Sequence, residues 1–106
     1  MTGVQTCALP ISAVYIKSGT TTITGGTFNA TLDTKVAYVH NGNGCNATGD
    51  TIIIEACGYP GGNPTVNISG GTFNKVADGA FAVAYYTYGD NAASINLTVD
   101  GLKTNE

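Results

Sequence analysis

The heptapeptide Ile23-Thr-Gly-Gly-Thr-Phe-Asn29 returns as Ile68-Ser-Gly-Gly-Thr-Phe-Asn74, 45 residues further along the chain. Holding that offset without a gap pairs Asp33 with Asp78, Ala37 with Ala82, Gly44 with Gly89, Asn46 with Asn91 and Ala47 with Ala92. A chain rich in Gly, Thr and Asn produces scattered matches by chance. It does not produce a contiguous GGTFN followed by a tail that stays in step, so the repeat is real. Repetition is read before any single element, because it dictates the architecture.

Working outward from the heptapeptide, apolar-rich segments centre on Ile23, Tyr38, Ile53, Ile68, Val83 and Thr98, about 15 residues apart. In 94–100, Ile95, Leu97 and Val99 alternate with Asn96, Thr98 and Asp100, the period of a half-buried strand. The same phase turns Val66 and Ile68 inward with Asn67 and Ser69 outward. It also turns Ile52 and Ile54 inward, leaving Ile53 facing out or under a neighbouring loop. Gly/Asn/Asp turn chemistry separates the segments, and no window shows a helical stripe. The fold class is all-β. Sandwiches and barrels call for two-residue hairpin signals and little repetition, and neither condition is met. A horseshoe needs Leu at fixed positions, but the chain has only Leu9, Leu32, Leu97 and Leu102. A parallel β-helix (β-solenoid) remains, in which like residues stack between successive coils. The ladders expected are Ile23 over Ile68 and Phe28 over Phe73. Paired glycines suit the corners, where positive φ or close backbone approach is needed.

Strand-GGTF-loop-strand units of this kind resemble the right-handed parallel β-helix repeats of the pectin-lyase-like superfamily, especially those of large secreted or wall-associated bacterial proteins. The resemblance covers nearly all of residues 13–106 and rests on a structural motif, so it implies a fold more than an activity. Coils in that family are typically shorter than 45 residues. One repeat is therefore two coils, or one coil with long loops. The expected organisation is a β-helix fragment at 13–106 with repeats at about 20–64 and 65–106. Residues 1–12, MTGVQTCALPIS, lack strand period, cap or secretion-signal character and closely resemble the translation of a sequencing-library adapter. That reading makes the chain a fragment of metagenomic origin, marginal in isolation and prone to associate through open strand edges.

Composition narrows the function. The 106 residues carry four Lys, no Arg and seven acids, a net charge of −3, so no basic surface exists for nucleic acid or anionic lipid. The longest apolar run, Ala80 to Tyr86, is far short of the roughly 20 residues a membrane helix needs.

Many members of the resembled superfamily cleave acidic polysaccharides, which implies testing for their chemistry. Its lyases commonly use an Arg base, and this chain has none. The hydrolase-type candidates are Asp33, Asp50, Glu55, Asp78, Asp90 and Asp100. Asp33/Asp78 and Glu55/Asp100 recur at the repeat offset and read as duplicated turn or surface positions. No catalytic residue is assigned. His40, at the end of a strand expected to begin at Val36, has no neighbouring carboxylate or thiol pattern and reads as a strand-edge residue. Cys45 and Cys57 flank the strand at 51–55. A disulfide between them is open in an oxidising compartment, whereas zinc is not expected without CxxC or a His cluster. No metal and no cofactor are assigned. Four Asn-x-Ser/Thr triplets fit the glycosylation pattern, as an Asn/Thr-rich chain produces by chance.

Tyr85, Tyr86 and Tyr88 lie beside Gly89-Asp90-Asn91. Two readings stand for this cluster. Tyr86, Tyr88 and Asn91 make a carbohydrate-binding platform, or Tyr85 joins the core ladder while the other two shield the flank. The function expected is a non-enzymatic structural or adhesin-like scaffold segment of a secreted or cell-surface bacterial protein, extracellular, contacting polysaccharide or host-cell glycans. Its other partners are the neighbouring coils of the parent chain. The alternatives are a fragment of a polysaccharide lyase or glycoside hydrolase with catalytic coils elsewhere, and a carbohydrate-binding module.

Overall fold

The computed structural model describes residues 12–40 and 48–98. Its regular elements are eight short strands: β1 (Val14–Ile16), β2 (Thr20–Ile23), β3 (Thr27–Asn29), β4 (Ile52–Ala56), β5 (Thr65–Ile68), β6 (Thr72–Asn74), β7 (Val83–Thr87) and β8 (Ser94–Leu97). They form three sheets in which every pairing is parallel, ordered β1-β4-β7, β2-β5-β8 and β3-β6. The chain visits the three sheets in one fixed order on each pass, and consecutive passes pair strand to strand. The expected all-β class with parallel strands therefore holds.

The GGTFN repeat sets the register of two sheets. Ile23 pairs with Ile68, and Phe28 with Phe73, as the offset of 45 demands. The phenyl rings stack at 5.3 Å between centroids and 10° between planes. Beside them Asn74 Nδ2 donates to Asn29 Oδ1 at 2.9 Å, so one like pair is apolar and the next is a side-chain amide ladder. The two glycines of the second motif serve different needs. Gly71 sits at φ 126°, a region favouring glycine, while a Cβ on Gly70 would lie 2.3 Å from the Thr24 carbonyl oxygen of the preceding pass. Gly25, its repeat partner, has nothing within 4 Å.

The offset of 45 does not extend to the remaining pairs. β5 pairs with β8 at Thr65↔Ser94, a step of 29 residues, and β4 pairs with β7 at Ile52↔Val83, a step of 31. β1 pairs with β4 at Val14↔Ile52, a step of 38, so the step is 38 or 45 where the long connection at 30–51 intervenes and 29 or 31 where the shorter one at 75–82 does. The strand centred on Tyr38 is corrected: residues 33–40 form no strand. The strand register that a gap-free repeat would give to Tyr38 is taken by β4, whose Ile-Ile-Ile run has two buried faces to fill and so outcompetes a segment with one. Two features absent from the 15-residue spacing are β1 and the separate short strands β3 and β6.

One core lies among the three sheets. It contains Val14, Ile16, Ile23, Ile52, Ile54, Ala56, Val66, Ile68, Val83 and Tyr85, with Phe28, Phe73, Ile95 and Leu97 packed against it. Val66 and Ile68 point in as the alternation required. A second, smaller cluster of Tyr15, Ile53, Ala84 and Tyr86 covers the opposite face of the β1-β4-β7 sheet, with Tyr38 and Phe81 against it. Ile53 therefore lies under a neighbouring segment, fully buried. Thr21 also points inward, and its hydroxyl has no hydrogen-bond partner.

Candidate functional site

The outer face of the β1-β4-β7 sheet carries two buried acids, Asp50 and Glu55, and residues 33–40 lie across it. Without that cover both carboxyls would sit in water. With it, each must find partners, because a buried charge left alone is strongly unfavourable.

Asp50 is saturated. Lys35 Nζ donates to both of its oxygens at 2.8 Å, Thr48 Oγ1 donates at 2.6 Å, Tyr86 Oη at 2.6 Å and the Phe81 backbone N–H at 2.8 Å. Burial pushes the Asp50 carboxyl up, but the donors from Lys35, Thr48, Tyr86 and Phe81 outweigh it, and the net shift is downward. Burial likewise pulls Lys35 down, and its bonds to Asp50 and Tyr86 reverse the sign. The Tyr86 phenol is raised, by burial first and then by donating to Asp50. The centre acts as a lock between cover and sheet.

Glu55, fully buried in β4, is arranged differently. Tyr15 Oη donates to Oε1 at 2.8 Å, and Tyr38 Oη donates to Oε2. Lys17, also fully buried, places Nζ 3.7 Å from Oε1, and its ammonium lies over the Tyr59 ring at 4.8 Å. His40 Nδ1 stands 3.6 Å from Oε2, and the imidazole stacks on Tyr88 with centroids 3.6 Å apart. Cys57, two residues beyond Glu55, completes the group. Donor atoms of His40, Glu55 and Cys57 all lie within 4.8 Å of one another. His40 Nδ1 is buried and has no hydrogen-bond partner.

The electrostatics constrain what this group can do. Burial and then the charge of Glu55 push the Cys57 thiol up, with Lys17 a partial offset. A raised pKa disfavours the thiolate on which a cysteine nucleophile depends. The Tyr38 phenol is raised by burial and by its bond to Glu55, so it stays a donor. What remains is a nitrogen, an oxygen and a sulfur donor converging at the C-terminal end of β4, the central strand of the sheet.

The structure separates the residues expected to bind carbohydrate. Tyr86 is 7% exposed, its ring stacked on Tyr38 at 4.6 Å and its hydroxyl bound to Asp50, so it has no open face for a sugar. Tyr88 is 52% exposed. Asn91 is partly buried and ties two loops together: its Nδ2 donates to the Tyr88 carbonyl at 2.7 Å, and its Oδ1 accepts from Asn63 at 3.2 Å. Tyr85 sits in the main core, and its hydroxyl accepts from the Ala93 N–H. Of the acids considered for hydrolysis, Asp33, Asp78 and Asp90 are exposed, and Asp100 lies outside the described residues.

His40 needs correction: it is no strand edge without partners, but faces a carboxyl and a thiol. The sequence hides this because a connection, not a strand pairing, brings His40 back over β4. Cys57 carries a free thiol, and Cys45 lies outside the described residues. Residues 1–11 lie outside them too. Ser12, the last residue of the adapter-like stretch, donates to the Asp50 carbonyl at 2.7 Å. Among the described residues no helix is long and apolar enough to cross a membrane. Comparison of the chain with protein-family models, with curated proteins and with solved structures finds no match.

Proposed function

We propose that this chain is a scaffold segment: successive coils of a right-handed parallel β-helix, non-enzymatic, belonging to a secreted or surface-attached bacterial protein whose polar loops meet glycans. The observation that carries the reading is the stacking of identical residues between consecutive passes, Phe28 on Phe73 and Asn29 on Asn74. Such ladders make each pass a template for the next, which suits a stiff, extensible body. The disposition of the acids supports the non-enzymatic part. Asp50 and Glu55 are engaged by cations and hydroxyls, and Asp33 and Asp78 stand on exposed connections. For glycans, Tyr88 is the aromatic of the expected set with an open face, and Asp90 beside it is exposed.

The test combines turnover with binding. Incubated with polygalacturonate and related acidic polysaccharides, the protein should yield neither unsaturated product nor new reducing ends. Turnover would replace the scaffold with the enzyme alternative. Oligosaccharide binding is expected to be weak and lost in Tyr88→Ala; affinity that survives this substitution removes Tyr88 from the contact, and absence of affinity in the unsubstituted protein removes the glycan contact from the proposal.

A further inference from the structure

We propose that His40, Glu55 and Cys57 form a site for one divalent transition-metal ion of the zinc class, with the fourth position open to solvent. The proposal is independent of the scaffold reading.

The argument starts from an unsatisfied atom. A buried polar nitrogen without a partner is costly and calls for an explanation, and an ion is one. His40 Nδ1 is such an atom, and it lies 3.6 Å from Glu55 Oε2. Zinc bonds of about 2.0–2.3 Å at tetrahedral angles separate ligand atoms by about 3.3–3.8 Å. The His40–Glu55 separation already falls in that range, and the whole set lies within 4.8 Å. The kinds of donor select the ion. One imidazole, one carboxylate oxygen and one sulfur suit a borderline-soft cation, whereas calcium and magnesium call for several oxygens.

The surroundings hold the ligands in place. Tyr15 and Tyr38 each fix one oxygen of Glu55, and the Tyr88 ring fixes the plane of His40. Outer partners of this kind orient metal ligands. Oε2 retains a lone pair beyond the one used by Tyr38. His40 and Cys57 are partly exposed, which gives the ion a way in. One group works against binding. Lys17, 3.7 Å from Oε1, repels a dication and weakens its binding. On binding, the Cys57 thiol proton passes to solvent.

The test uses the full chain, reduced and stripped with chelator, then titrated with Co²⁺ and afterwards Zn²⁺. One equivalent of Co²⁺ should give strong tetrahedral-type visible bands and a sulfur-to-metal charge-transfer band, both abolished by Zn²⁺. Cys57→Ser should remove the charge-transfer band, and His40→Ala should weaken binding at least tenfold. A Cys7→Ser/Cys45→Ser double variant should retain both signals. In the unsubstituted protein, Zn²⁺ should slow iodoacetamide labelling of Cys57 at least tenfold, a readout that does not depend on any variant folding. The proposal is overturned by absence of uptake, by uptake unchanged in both single variants, by loss of the signal in the double variant, or by labelling of Cys57 indifferent to Zn²⁺.

Discussion

The two copies of the GGTFN motif lead into connections of unequal length, residues 30–51 and 75–82, and these serve different ends. The shorter one delivers the chain directly to β7, placing Phe81 where its N–H reaches Asp50. The longer one crosses the outer face of the first sheet before β4 begins, laying Lys35, Tyr38 and His40 over Asp50 and Glu55. The motif itself is the same in both passes and stacks on itself. Repetition therefore builds the frame, and the departure from repetition builds the polar centre. An insertion between ladders is free to acquire chemistry, because the strands on either side fix where it starts and ends.

The sharpest way to break this comparison is at equivalent glycines. Gly70→Ala drives a methyl into the Thr24 carbonyl and should destabilise by about 3 kcal/mol or more, whereas Gly25→Ala should stay within about 1 kcal/mol of the parent. Urea unfolding of the two variants decides it, and equal losses would mean that the passes do not stack in this register. Phe73→Ala comes next. It removes half of the ring ladder at a half-buried site, for an expected loss of about 2–3 kcal/mol, and Phe73→Leu should recover part of it.

The lock between cover and sheet predicts a pH window. Asp50 is depressed in the folded state, so its contribution is complete above the unfolded value of about 3.9 and is lost as pH falls through the lower folded value. Lys35 is raised, so its contribution is complete below about 10.4 and is lost as pH rises through the folded value. Thermal melts should form a plateau between those limits, and Asp50→Asn should flatten the acid limb. An acid limb that persists in Asp50→Asn assigns it to another carboxyl. The smallest effect has the opposite sign. Thr21→Val replaces a buried, unpartnered hydroxyl with a methyl and should stabilise by about 1 kcal/mol, read as a rise in urea midpoint at constant slope.

The ladders were legible because they depend on identity at a fixed spacing, and Ile23/Ile68 and Phe28/Phe73 are such identities. The alternation at Val66 and Ile68 was legible for a similar reason, since period two is a property of the strand alone. Tyr38 was misplaced because an apolar segment at the right spacing carries no mark of whether a strand partner awaits it. For Tyr86 the sequence leaves two readings, a sugar platform or a shield on the flank, and the structure places it in the covered flank because residues 33–40 cross there. The cluster at Glu55 left only a faint signal, a charged residue following the Ile-Ile-Ile run of a strand with a Cys two positions on.

From the amino-acid order alone came the strand-forming composition, the duplicated motif, the glycine corners and the residues that stack on their own copies. These follow from local backbone preference and from repetition, which act along the chain. The tertiary structure decided the unequal steps between passes, the burial of Asp50, Glu55 and Tyr86, and the meeting of His40 with Cys57. Those depend on which segment lies over which sheet face, a competition between distant parts of the chain for the same buried area.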